Sequence, residues 1–425
     1  MTTIECDVCV VGCGAGGIGA AVAAAEAGAK VVVVDKNQLP GGTVTMAWVH
    51  NWEPSCGNSP LSRRLWGRMR SYPSGAPDIE FTTMNYDRDG RRLHSMPFEG
   101  WAYLKAVQEE FAAFDQLHFL PGTSFLSSRR DGRRIDAITC SGGVEVKAKA
   151  FIDASGDIAV CREAGCDHAL GAEARAEHQE PDAPEQADRG ALNQVNWVFR
   201  VSTGRGPARV EASPVPEAQR HHSIFCSPMP CGDVVVNVCG QGRHNPERPE
   251  ESDRVHRKQL RIAYDLYRWQ VLSGARPDWR LVGFAPEMGV RESFRLKARH
   301  VLTENEVLRG YDGQAHRDFV GATDHLLDMH GSGLGHKRTP AYGVPYECLQ
   351  PKEYDNLLVA CKGLGVSHLV SASCRLTRVL MALGGAAGRA AALSAATGVM
   401  LEDIEAAKIA DFEPPTVNTQ GSGVI

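Results

Sequence analysis

Residues 6–35 read CDVCVVGCGAGGIGAAVAAAEAGAKVVVVD. A strand from Cys6 to Val11 enters the glycine-rich turn Gly12 to Gly17, an alanine-rich helix runs from Ile18 to Ala27, and Lys30 to Asp35 forms a second strand. The runs VCVV and VVVV lack the polar alternation of a half-exposed sheet, so both strands belong to a parallel sheet covered on both faces. Gly12-Cys13-Gly14-Ala15-Gly16-Gly17 fits G-x-G-x-x-G. The first glycine makes the turn, the second admits a pyrophosphate close to the backbone, and the third packs helix on strand. Asp35, 21 residues after Gly14, stands where a carboxylate accepts a hydrogen bond from an adenosine ribose hydroxyl, and the helix N-terminus faces the pyrophosphate. The unit predicts a dinucleotide site lined by Gly12, Gly14, Ala15, Gly16, Gly17, Asp35 and the adjacent Lys36.

Outward from this unit, Leu39 to about Gly100 is irregular and rich in Gly, Pro, Ser and Trp, which predicts functional loops with short helices. Trp101 to Phe114 reads as an amphipathic helix. Leu117 to Lys149 alternates as several strands, with a hairpin turn at the Asp-Gly of RRDGRR, residues 129–134. The four arginines there are expected to be solvated turn residues. Phe151 to Ala154 is a short apolar strand ending in Ser155-Gly156-Asp157. A change of character follows: a polar stretch at 168–190, strands around Val195 to Val201 and Val234 to Val238, and a helix around Arg254 to Leu272. The last quarter returns to the opening grammar, with a strand Asn356 to Cys361, a Gly-Leu-Gly loop and a small-residue helix from about Arg375 to Ala396. The expected architecture is α/β: a Rossmann-like doubly wound sheet at 1–165, an inserted α+β cap domain at 166–345, and the return of the first domain at 346–425.

NAD and FAD both use such a first unit, and three further segments separate them. Pro40-Gly41-Gly42-Thr43, Ile152-Asp153-Ala154-Ser155-Gly156-Asp157, and Asn356 to Gly388 resemble the flavin-contacting motifs of the FAD-dependent oxidoreductase family of the glutathione-reductase-like fold, akin to the fumarate reductase and succinate dehydrogenase flavoproteins. The resemblance extends over Gly289-Val290-Arg291-Glu292-Ser293, Val301-Leu302-Thr303-Glu304, Tyr342-Gly343-Val344-Pro345-Tyr346 and Ser373-Cys374-Arg375-Leu376. It implies bound FAD, with Gly41, Gly42, Thr43, Ser155, Gly156, Asp157, Gly365 and Arg375 beside it. Amides at a helix start, at Gly363 to Ser367 or at Gly384-Gly385-Ala386, would stabilise negative charge on the reduced cofactor. No second G-x-G-x-x-G follows a strand, and no C-x-x-C lies in a loop after the second strand, which argues against a pyridine-nucleotide disulfide reductase. Cys6 and Cys9, three apart on a strand, point to opposite faces.

The implied chemistry is hydride transfer between a small polar substrate and flavin N5, assisted by an acid or base. His50, in Trp48-Val49-His50-Asn51-Trp52, lies on the loop after the glycine pair and is a candidate acid, base or covalent flavin tether; Cys56 shares that loop. Asp324, His325, Asp328, His330, His336, Lys337, Arg338 and Tyr342 cluster at the end of the cap segment, with His330, His336 and Arg338 the leading candidates. Their spacing fixes no complete metal-ligand set, so no metal is expected. Arg291 and Arg295, four apart, are expected on one helix face as a carboxylate clamp, unless they pair with Glu292 or Glu304. His368 and Arg375 flank the terminal loop. No residue aligns to the arginine proton donor of the fumarate-reductase relatives, which leaves the reaction direction open.

Two rivals stand beside this reading. A flavin monooxygenase lacks here the Gly-Asp-x-x-His signature of aromatic hydroxylases and the W-x-W of flavin halogenases, and an electron-transfer subunit would hold FAD without turnover. The 46 Lys and Arg against 51 Asp and Glu, a net of −5, offer no field for nucleic acid. The 13 cysteines show no framework spacing, and Met1 to Asp7 run straight into a strand with no room for a secretory signal. A cytoplasmic protein without a membrane span is expected, as a monomer or a homo-oligomer, with an electron acceptor that the sequence does not name.

Overall fold

The computed structural model describes residues 2–52, 55–79, 96–204, 210–217, 220, 224–331 and 334–415. Strand Thr2–Val11 carries a parallel neighbour on each side, Val31–Val34 and Val144–Asp153. Leu117–Leu120 extends the sheet beyond the second strand, and Leu357–Val359 pairs in parallel with the end of Val144–Asp153. The register sets Val11 beside Val34 and Asp153, Val34 beside Leu120, and Asp153 beside Val359. These strands therefore all end on one edge, and the loops leaving them meet there. The first half of Val144–Asp153 pairs instead with Arg134–Cys140, which turns back into Phe125–Asp131. Asp131 faces Arg134 across that hairpin with Gly132 at φ 56°. Arg129 and Arg133 are half exposed and paired with Glu145 and Asp355, as solvated turn residues should be.

Helix Ala15–Glu26 lies against helix Thr377–Thr397, and their small residues let the two approach closely. A Cβ on Gly19 would stand 2.2 Å from the Met381 carbonyl oxygen, one on Gly384 2.0 Å from that of Gly16, and one on Gly388 2.2 Å from that of Ala20. The two backbones touch over two turns, which a side chain at any of these positions forbids. Thr377–Thr397 is long and apolar enough to cross a membrane, yet 67% of its apolar window is buried inside the protein. Gly384-Gly385-Ala386 lies within this helix, so its amides are spent on the helix ladder and are not a helix start, contrary to one of the two sequence expectations.

The inserted unit is an antiparallel sheet in the order Ile224–Pro228, Val234–Arg243, Gln194–Thr203, Trp279–Phe284, with helix Pro249–Leu272 packed on it. Its own core runs from Val195 to Met288, around Trp197, Phe199, Val236, Ile262 and Leu266. Leu192, Phe294, Leu296, Val320, Tyr342 and Val344 instead join the core of the first sheet. The separate apolar core is thus narrower than the span 166–345, because flanking apolar residues pack into the core of the first sheet. In the irregular region, Ser59 caps helix Pro60–Ser71 by accepting from the Ser62 amide.

Candidate active site

The loops at the shared strand edge build a cradle. Gly12 has φ 101°, and a Cβ there would stand 2.3 Å from the Ala154 oxygen. Gly16 would meet the Ala360 oxygen at 1.7 Å and Gly17 the Gly12 oxygen at 2.0 Å. Gly14 differs from all three: nothing lies within 4 Å of its Cβ direction, so the turn is open there and closed elsewhere. The buried Asp35 carboxylate accepts from the Cys13 and Asn37 amides and braces the turn. Gly41 donates to the Cys13 oxygen at 2.8 Å, and a Cβ on Gly42 would come within 2.9 Å of the Gly14 Cα. Gly42 then opens the short helix Thr43–Met46. Asp153, fully buried, accepts from the amides of Ser155 and Cys161 and from the Ser155 hydroxyl, which in turn accepts from the Ala159 amide. Burial pushes the Asp153 carboxyl upward. Asp157 pairs with Arg162 at 2.8 Å.

Lys362, which the sequence reading did not single out, lies on the loop after strand Leu357–Val359, and its Nζ is the nearest atom, at 3.4 Å, to a Cβ built on Gly156. Burial pushes its ammonium pKa down, and Asp157 and Lys36 are its charged neighbours. His244, at the end of the inserted strand Val234–Arg243, faces the same group of charges and is pushed down by burial and by Lys362. The only sequence signal for Lys362 was its place in the loop after the return strand. Gly365 packs tightly against its neighbours. Its amide donates to the Cys348 oxygen and its oxygen accepts from the Leu302 amide, and a Cβ on it would strike Ala298 at 2.4 Å.

Across the terminal loop, Asp328 gathers a second group. One of its oxygens takes His330 Nε2 at 2.8 Å and Arg375 Nη2 at 2.7 Å, and the other takes His336 Nδ1 at 2.7 Å. Burial opposes ionisation of Asp328, but the His330 hydrogen bond and the Arg375 guanidinium outweigh it and hold the carboxyl well below its usual range. Burial also lowers the His330 pKa, against Asp328 and with the help of Arg291, so the ring is neutral at pH 7. The His330 backbone bonds to Asn193 and Gln194, at the root of the inserted sheet. Asn193 in turn bonds Glu292, which holds His368 Nδ1 at 2.8 Å and Arg295. Arg295 is fully buried between Glu292 and Glu173.

The five sequence candidates for catalysis do not form one group. His330 and His336 share Asp328, with Arg291 beside them. Arg291 and Arg295 do not share a helix face: the chain there is irregular until the short strand Arg295–Leu296, and Arg295 is consumed by its carboxylates. Arg291 donates to the Gln194 oxygen at 2.6 Å. Arg338 is exposed. His50 is buried elsewhere, between Trp48 and Phe98, with Glu99 and Arg200 as its charged neighbours. Burial lowers its pKa to about 4, and its Nδ1 has no hydrogen-bond partner among the described residues. Cys56, also buried, donates its amide to Asp324, and burial raises its thiol pKa.

A family model described as FAD dependent oxidoreductase matches residues 7–412. The chain belongs to the FAD-dependent oxidoreductase family. One curated relative, a 4-oxocyclohex-2-ene-1-carboxylate 5-dehydrogenase of Sinomonas cyclohexanicum, is 48% identical over 52 residues, which are 12% of this chain and 9% of that one. Among solved structures, a geranylgeranyl bacteriochlorophyll reductase-like protein of Thermoplasma acidophilum shares the fold at a TM-score of 0.50 and 12% identity, covering 93% of this chain and 80% of that one. An anhydrotetracycline hydroxylase of Streptomyces rimosus aligns at a TM-score of 0.44 and 11% identity, over 92% of this chain and 63% of its own. The cradle fits the family's cofactor: a turn open only at Gly14, helix amides beyond it, and Lys362 at its rim provide backbone donors and a cation for a pyrophosphate.

Proposed function

We propose that this FAD-dependent oxidoreductase transfers a hydride between a carbon of a small polar substrate and flavin N5, with His330 as the base that takes the accompanying proton. The observation that carries this reading is the Asp328 hub, where a carboxylate held ionised fixes Nε2 of a neutral imidazole. In the neutral ring the Nε2 proton points at Asp328, which leaves Nδ1 as the acceptor for a substrate proton. When bound, FAD supplies the two-electron acceptor. Asp328 offsets the imidazolium that forms as His330 takes the proton, and Arg375 and Arg291 place positive charge beside a polar or carboxylate-bearing substrate. Supporting the dehydrogenase sense, the Sinomonas relative is by name a dehydrogenase of a cyclohexene carboxylate. Gly41, Gly42, Thr43, Ser155, Gly156, Asp157 and Lys36 frame the dinucleotide, with Lys362 added, and Gly365 supports the loop.

The test is anaerobic bleaching of the flavin by a panel of cyclohexane and cyclohexene carboxylates, first with the wild type and then with Asp328→Asn and His330→Gln. The expected result is substrate-driven bleaching slowed roughly 100-fold or more in both variants, with unchanged FAD content. Full rates in both variants would remove His330 from the chemistry. Bleaching only by a reduced pyridine nucleotide, followed by oxygen uptake with hydroxylated product, would replace the dehydrogenase reading with a monooxygenase.

A further inference from the structure

Beside the Gly363–Ser367 loop, whose Gly365 oxygen accepts from the Leu302 amide, three side chains from two segments converge and a fourth from a third segment approaches them. His300 Nε2 lies 2.9 Å from Glu306 Oε1. A ring nitrogen of His316 joins them, so that ligand atoms of all three residues lie within 4.8 Å of one another. Glu347 lies just outside that group, with its Oε2 3.9 Å from His316 Nδ1. The two imidazole rings stand with centroids 4.1 Å apart. No lysine or arginine among the described residues pairs with either carboxylate. Ligand atoms this close together, from two imidazoles and a carboxylate, can converge on a single divalent cation.

The surroundings have the build of a ligand shell. Glu306 spends its other oxygen on the amide and hydroxyl of Thr303, at 3.1 and 3.0 Å, which turns Oε1 toward His300. Such outer hydrogen bonds orient metal-binding carboxylates. The segments brought together have little regular structure of their own: the His300 amide reaches the Glu347 oxygen, and His316 lies between a one-turn helix and strand Phe319–Thr323. Two imidazoles with two carboxylates suit zinc and its neighbours in the first transition row, whereas calcium and magnesium prefer all-oxygen sets. The Asp328 cluster is a different case, because Arg375 already supplies its cation.

We propose that His300, Glu306, His316 and Glu347 form a four-ligand site for a zinc-class divalent cation. The site fastens three segments to the terminal loop, through the Leu302 amide on Gly365 and the Ser367 amide on Leu302, both at 3.0 Å. Residues 300, 306, 316 and 347 form no recognisable spacing, and folding alone assembles them.

The experiment is calorimetric titration of chelator-treated, FAD-loaded protein with zinc chloride, together with elemental analysis and the thermal midpoint with and without zinc. One zinc per chain is expected, with affinity at least tenfold weaker in His316→Ala and in Glu347→Gln, and with a zinc-dependent rise in midpoint that these variants lose. His336→Ala, at the other histidine cluster, is expected to bind zinc as the wild type does. Glu347 is the most exposed of the four, so its variant keeps the test decisive if His316→Ala does not fold. The proposal is overturned if zinc does not bind, if both variants bind it with wild-type affinity, if His336→Ala abolishes binding, or if calcium or magnesium binds equally well.

Discussion

Gly14 and Gly16 stand two residues apart in one turn, and the structure assigns them opposite sensitivities. At Gly14 the backbone is extended, with φ −76° and ψ −170°, which alanine adopts freely, and no protein atom lies within 4 Å of the new Cβ. Gly14 is also the N-cap of helix Ala15–Glu26, where alanine costs about 0.5–1 kcal/mol, while restricting the unfolded chain returns about 0.4–1 kcal/mol. Gly14→Ala should therefore fold with a stability within about 1 kcal/mol of the wild type in the absence of FAD. Its methyl, however, enters the space that the pyrophosphate needs. FAD affinity should fall roughly 100-fold, about 3 kcal/mol. Gly16→Ala places its Cβ 1.7 Å from the Ala360 oxygen, and helix and strand end must separate by more than an ångström. It should lose about 3 kcal/mol or more of stability even without FAD. Thermal melts of deflavinated protein and fluorescence titration with FAD separate the two effects. The reasoning fails if Gly14→Ala binds FAD within threefold of the wild type, or if Gly16→Ala melts like it.

Three further outcomes are expected. Burial holds His50 at about 4 in the fold against an ordinary value near 6.5, so the unfolded chain binds a proton that the fold refuses, and stability rises with pH between about 4 and 6.5. The step is about 3 kcal/mol, and His50→Phe should flatten that part of a urea-stability profile measured from pH 4 to 7. Arg295→Met leaves Glu173 and Glu292 buried without their cation and should cost about 3–5 kcal/mol, seen as a fall in the denaturant midpoint without a change in slope. Lys362→Met should weaken FAD about tenfold and reduce the salt dependence of its binding, whereas a purely structural role would leave the salt slope untouched.

The strand, turn, helix and strand at residues 2–34 were legible in the sequence because each rests on local signals: apolar runs, glycine spacing and a terminal carboxylate. The hairpin at Asp131 and Gly132 and the long helix Thr377–Thr397 were legible for the same reason. Local pattern failed where charges decide. The spacing of Arg291 and Arg295 suggested a helix face or pairing with Glu292 or Glu304; pairing with Glu292 holds for Arg295, but periodicity does not reveal Glu173, which reaches the same guanidinium only through the fold. His50, His330 and Arg338 carried similar interest as sequence, and burial and partners separated them into a neutral core imidazole, a carboxylate-fixed imidazole and an exposed cation. Lys362 and the His300 group had no motif at all. Backbone conformation depends on neighbours a few residues away, so the sequence by itself determined the nucleotide-binding unit. Protonation, pairing and site membership depend on desolvation and on charges tens or hundreds of residues distant along the chain, and only the tertiary structure decided those.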